Sequence, residues 1–403
     1  MPRWKINLIV LFCGNFLVMA GMTMIIPFLS LYLKQDLGLT DEHEIGIWAG
    51  LIFAANFVTS FLFQPLWGKL SDRYGRKMML LRSGFGMSVV MILMGFATNA
   101  WHLLLLRMLN GVISGFVPAA VSLVSATTPK KRMGFVMGTL QSGGTAGAIL
   151  GPFIGGLLAD SFGFRPIFYI TGALLFLASV ISWWLVQENF DREAASHQVQ
   201  ESVIHGFREL MKIPQLPVLL TITFFIQFAM LGPMPLIPLY VEKLHGTTAN
   251  LAFFAGFVGS VTGMSNMISS PLLGKLSDRI GATPILLVSL LGASLTLLPQ
   301  AFVSSVGQLL VWRFLLGCFM GGLLPTVNSL IRRHTPDGKE SRAFSFNSSA
   351  LSLGNMAGPV MGGALSTFFG IEGLFVISAV MLFLTCIWAS QALHSRIGKT
   401  AEK

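Results

Sequence analysis

Of 403 residues, 53% are hydrophobic and only 11% are charged, where a soluble domain carries about a quarter. With a mean hydropathy of +0.72, that balance excludes an ordinary soluble enzyme or binding domain. The net charge of +10 would suit a nucleic-acid partner, but its distribution assigns it to membrane topology and excludes nucleic acid.

Apolar runs of about 20 residues, the length a helix needs to cross a ~30 Å hydrocarbon core, recur along the whole chain. They predict twelve membrane spans, numbered here 1 to 12, at about 6–33, 45–67, 78–98, 102–126, 134–159, 165–187, 216–241, 250–273, 284–303, 306–331, 342–369 and 372–394. Several are rich in Gly and Pro, as membrane helices tolerate. With the N-terminus inside, 22 Lys and Arg fall in cytoplasmic segments, three outside (Lys34, Arg165, Lys243) and two within spans (Arg107, Arg313). The acids divide 10 inside to 7 outside. This positive-inside pattern puts both termini in the cytoplasm. Span 1 follows Arg3 and Lys5 but is too long for a signal-peptide core, so it reads as retained. Cys13, Cys318 and Cys386 all lie in apolar spans as packing residues, with no disulfide or metal spacing.

In chain order, span 1 carries Met19, Met22 and Met24 ahead of Pro27. Between spans 2 and 3 runs the charged phrase Gly68-Lys69-Leu70-Ser71-Asp72-Arg73-Tyr74-Gly75-Arg76-Lys77. Asp72 there suits hydrogen bonding to a helix N-terminus, where the dipole is positive, or pairing with an Arg. The basic residues also serve topology. Span 4 holds Arg107 and Asn110 about two turns in. An ionisable group at that depth normally faces the bundle interior and works there, or snorkels to the interface. Span 5 has Gly147, Gly151 and Gly155 four apart, hence on one face, with Pro152 bending the helix. Such a face suits either a surface that slides between two states or plain tight packing.

Residues 188–215 form the one long polar stretch, a linker dividing an N-terminal six-span bundle (1–187) from a C-terminal one (216–403). Within it Val203 to Met211 suits a short surface helix or a solvated strand of linker. The second half then repeats the first. Gly274-Lys275-Leu276-Ser277-Asp278-Arg279-Ile280-Gly281 copies seven of eight letters of the first loop at an offset of 206 residues. Arg313 to Gly317 answers Arg107 to Gly111, Gly358-Pro359 answers Gly151-Pro152, and Pro235 to Tyr240 in span 7, beside Met230 and Met234, answers Pro27 to Tyr32. A two-fold repeat of membrane spans with proline breaks at matching places marks a secondary transporter with its site near those breaks.

These residues resemble the major facilitator superfamily and, within it, the twelve-helix drug:proton antiporters, over the whole chain. The loop from Gly68 to Lys77 matches the superfamily signature, and Leu103 through Arg107 to Gly111 and Gly115 matches the span 4 pattern, with Asn110 where Gln is common. Gly138, Gly147, Gly151-Pro152 and Gly155-Gly156 match the antiporter motif, the most specific of the three. The resemblance implies an all-α membrane protein of two pseudo-symmetric six-helix bundles, working as a monomer in a bacterial inner membrane. It implies gating at the inner mouth by Gly68, Asp72, Arg73, Gly75 and Arg76, with Asp278 and Arg279 as weaker counterparts. Coupling or substrate contact falls to Arg107, Arg313, Asn110, Gln141, Gln227, Met22 and Met230. The expected activity is export of lipophilic or amphipathic drugs against protons by alternating access, with no cofactor, no metal and no enzymatic chemistry. A carrier of one small metabolite or organic anion is the alternative. No Asp, Glu or His lies deep in a span, so the proton carrier is sought at the edges, at Asp36, Glu44, Asp160 or Glu242. No nucleotide-binding Gly-x4-Gly-Lys-[Ser/Thr] occurs.

Overall fold

The computed structural model describes residues 2–25, 28–128, 133–188, 208, 210–246, 250–336 and 340–397. Pro27 and residues 189–207 and 209 of the linker fall outside these residues, and with them most of the segment from Val203 to Met211. Every regular element among the described residues is helical. Among the described residues eleven helices are long and apolar enough to cross a membrane, and the last of them, Ala343–Leu393, is interrupted at Gly370 (φ 70°, ψ 179°) into two. Twelve spans result.

Three spans begin at a side chain that caps them from the residue just before. Asp41 accepts from the backbone N–H of His43 at 3.1 Å ahead of span 2, Asn99 from His102 at 2.8 Å ahead of span 4, and Ser305 from Gln308 at 3.3 Å ahead of span 10. Each cap satisfies a donor that the first helical turn leaves free. Asn99 and Ser305 stand at the repeat offset, so the halves start this span in the same way.

Proline and glycine decide where spans break. Span 1 runs as Arg3–Met24 and resumes as Leu29–Gln35; span 7 runs as Gln215–Leu231, a 3-10 turn Met234–Leu236 and Ile237–His245. The span 7 break holds Pro233, Pro235 and Pro238, each lacking the N–H that would continue the helical ladder. Span 4 breaks between Ala100–Ile113 and Phe116–Thr127, at Gly115 (φ 142°). Its counterpart, Val306–His334, is continuous. The two charged loops turn identically: Gly75 has φ 95° and ψ 152°, Gly281 φ 98° and ψ 152°, a conformation only glycine adopts cheaply.

Two compact units form. One comprises residues 1–199 with 247–260, the other 200–246 with 261–403. Span 8, Leu251–Ile280, is shared by both, its first turns belonging to the first unit. In the first unit span 1 packs along span 5, span 2 along span 4, and span 3 along span 6; in the second, span 7 packs along span 11. The packing is backbone to backbone. A Cβ at Gly147 would strike the carbonyl oxygen of Phe16, one at Gly151 that of Ala20, and one at Gly155 would lie 2.7 Å from that of Met24. Span 11 repeats the pattern on span 7: Cβ atoms at Gly354 and Gly358 would each lie 2.8 Å from the carbonyls of Phe224 and Phe228, and one at Gly362 would strike that of Gly232. With lipid as apolar as any side chain, such close approach is what holds membrane helices together.

Candidate functional site

In the first unit the polar interior is built where spans 2 and 4 cross. Gly111 lies so close to Asn56 and Thr59 that a side chain would displace them. That approach lets Asn110, fully buried, donate from Nδ2 to Oδ1 of Asn56 at 2.8 Å. The Oδ1 of Asn110 has no partner. One turn along the same helix face, Arg107 is 6% exposed and its Nε is also unpartnered. A buried donor and a buried acceptor are therefore left open within a membrane span. Such groups are costly unless a ligand or water engages them.

In the second unit Arg313, 5% exposed, places its guanidinium 5.5 Å from the centre of the Phe375 ring, within cation–π range. Its Nε and Nη2 are unpartnered. Elsewhere in this unit the amides bond to one another or to a hydroxyl. Gln227 donates to Asn355 at 3.0 Å, Asn347 to Asn328 at 2.9 Å, and Thr223 to Asn347 at 2.8 Å. Of the remaining expected contact residues, Met230 is buried, Met22 half-buried and Gln141 exposed. The asparagine at 110 and the two arginines thus carry open polar groups, whereas Gln227 is occupied within its own unit. Among the described residues no cluster of three His, Cys, Asp or Glu side chains converges as a metal would require.

Around the first charged loop, Gly68 and the side chains of Asp72 and Arg73 lie outside the described residues. The next residues show a brace the sequence did not reveal. Glu188, just past span 6, accepts from the backbone N–H of Arg76 at 3.0 Å and of Lys77 at 2.8 Å. It thus caps the positive end of span 3. Lys77 also donates to the carbonyl of Trp183 at 2.8 Å. In the second loop Asp278 and Arg279 are exposed.

Arg82, one of the basic residues that the sequence assigns to the cytoplasmic side, lies inside span 3, Arg76–Met94. Its guanidinium stacks 3.5 Å over the Trp67 ring, and its Nη2 reaches the Ser114 carbonyl at 3.5 Å, at the break in span 4. Trp67 in turn donates to Val112 at 2.6 Å. The signal was present as an Arg six residues into an apolar helix, but the partners come from two other spans.

The antiporter-motif glycines divide by neighbour. Gly147, Gly151 and Gly155 face span 1 inside the first unit, so the stripe serves tight packing there. Gly156 faces the start of span 8, and Gly138 meets nothing within 4 Å. At the end of the bundle away from the termini, Asp160 accepts two backbone bonds from span 8. Beside it Arg165 pairs with Asp36 at 3.5 Å. Burial pushes the Asp36 carboxyl above its ordinary value, against the opposing pull of Arg165. In the second unit Lys243 pairs with Glu372.

The Major Facilitator Superfamily matches residues 11–299 and again 252–401. The chain is 41% identical over 398 residues to the multidrug resistance protein MdtG of Salmonella arizonae, covering 98% of this chain and 97% of that one, and equally to that of Salmonella typhimurium. Among solved structures it is similar to a bacterial homologue of the human lysosomal transporter Spinster (TM-score 0.83, 17% identity, 99% of this chain and 98% of that one). It is also similar to the nucleoside transporter NupG (TM-score 0.78, 12% identity, 98% and 99%). At these identities the structures speak for the fold alone.

Proposed function

Because this chain belongs to the major facilitator superfamily, we propose that it exports lipophilic or amphipathic drugs across a bacterial inner membrane in exchange for protons, by alternating access. The observation that carries this reading is the 41% identity, over nearly the full length of both chains, to proteins named for multidrug resistance. The chemistry of the interior is consistent with it. Its buried polar side chains are uncharged apart from Arg107 and Arg313, which suits substrates recognised by shape and apolar area with a few polar contacts. In this reading residues 1–187 and 216–403 act as the two six-span halves, joined by 188–215, with both termini cytoplasmic and the carrier working as a monomer. The first charged loop, braced by Glu188, closes the inner mouth through Asp72 and Arg73.

The experiment is drug-induced proton flux in energised inside-out vesicles containing this transporter as the overproduced species, with neutral, cationic and anionic compounds. Dequenching of a pH dye by amphipathic drugs, lost in Asp72→Asn at equal abundance, is the expected result. Accumulation of labelled drug without proton movement would overturn the exchange. The absence of both would move the function to one small metabolite. A specific observation favours an organic anion in that case: the open donors of Arg107 and Arg313 have no acidic partner.

A further inference from the structure

Asp160 stands in the last turn of span 5. Its Oδ1 accepts from the backbone N–H of Ala252 at 3.1 Å and its Oδ2 from that of Phe253 at 2.8 Å. Those two groups belong to the first turn of span 8, where a helix leaves four donors free and carries its positive dipole end. The cap of span 8 is therefore a carboxylate held by a different span, 92 residues earlier in the chain. Below the cap the two helices meet with little side chain between them. A Cβ at Gly156 would lie 2.6 Å from the Ala252 carbonyl, and one at Gly256 would strike that of Pro152. The Phe153 ring packs on Phe253 and Phe257, with centroids 5.7 and 6.1 Å away. Span 8 is also the span that passes from one compact unit to the other, at Ser260.

We propose that Asp160 is the latch of the outer gate, holding the start of span 8 against span 5 in one phase of the transport cycle and releasing it in the other. The proposal rests on the transport function inferred above. A glycine-lined contact in lipid leaves few side chains to disentangle, so it can part and reform. What gives it two distinct states is a directional bond that is either made or broken, and a charge-assisted pair of hydrogen bonds is the strong, geometry-dependent kind. A cavity of about 420 Å³ opens beside Asp160, lined also by Gln35, Asp36 and Arg165. Arg165 supplies a cation there for the carboxylate once it leaves the helix end. Asp160 touches no substrate in this account. It is a positioning residue acting through span 8.

The test uses the full-length protein in permeabilised cells, with Cys13, Cys318 and Cys386 replaced by Ser. Ala252→Cys reports the latch, being 3% exposed, and Ala389→Cys, fully buried in span 12, reports general loosening. Labelling by a hydrophilic maleimide is timed in each, with and without Asp160→Asn. The latch predicts a rise of about tenfold at position 252 in Asp160→Asn, no change at 389, and partial reversal by Asp160→Glu. It also predicts a several-fold lower maximal export rate at unchanged half-saturating drug concentration. Equal labelling at 252 with and without the substitution overturns the proposal. So does a rise at both positions, which would make Asp160 a plain structural cap. Labelling needs no drug, so a failure of the drug-export reading leaves this result interpretable.

Discussion

Arg107 and Asn110 show what a single residue contributes. A buried polar atom without a partner costs about 1–3 kcal/mol, and span 4 keeps two of them within a turn of each other. Replacing an uncompensated buried charge by an apolar group of similar length removes that cost. Arg107→Met is therefore expected to keep or raise the melting temperature in detergent while lowering export by about tenfold or more. Loss of both stability and export would make Arg107 a structural residue. Arg107 and Arg313 were legible because each is a charge deep in an apolar run, whereas Arg82 stands close to the basic loop and was read with it. Gln227 looked equally suited to substrate, yet it is taken up by Asn355. Whether an amide is open or satisfied depends on a residue 128 positions away, which no local pattern reports.

At the scale of elements, a four-residue glycine period announces that one helix face is smooth, and this was plain in spans 5 and 11. What the smooth face touches was not. The sequence left a sliding surface and plain tight packing both open; Gly147, Gly151 and Gly155 meet span 1, and of the motif glycines Gly156 turns towards span 8. The motif residues should therefore differ in tolerance. Gly151→Ala drives a methyl into Thr23 and Ala20 and is expected to cost about 1–3 kcal/mol. Gly138→Ala meets open space and gains up to about 1 kcal/mol of helix propensity. Membrane abundance and thermal unfolding of the two variants check this, and equal damage would refute the assignment of neighbours. The break in span 4 at Gly115 is a further element-scale feature without a sequence warning, since span 10 carries the same pattern unbroken.

Across the whole molecule, the 206-residue repeat is realised as backbone geometry. Gly75 and Gly281 adopt the same φ and ψ, and Gly111 and Gly317 mark the same close crossing. The repeat is not symmetric in its bracing. The N–H groups of Arg76 and Lys77 are held by Glu188, whereas among the described residues no carboxylate is seen on those of their counterparts Ala282 and Thr283. A braced loop transmits movement of its neighbours and an unbraced one yields. Asp72→Asn is thus expected to lower export more than Asp278→Asn at equal abundance. The reverse order in a transport assay would overturn the ranking.

By itself the sequence determined the membrane class, the twelve spans, the internal repeat, the superfamily and two of the intramembrane arginines. Each follows from composition, apolar run length or a motif, which are properties of neighbouring letters. The tertiary structure decided which helix each glycine face meets, which polar groups stay open, that Glu188 caps span 3, and that Asp160 caps span 8. Those contacts join residues about 90 to 130 positions apart. In a membrane, where apolar surface fits many partners, close backbone approach and directional hydrogen bonds select among them.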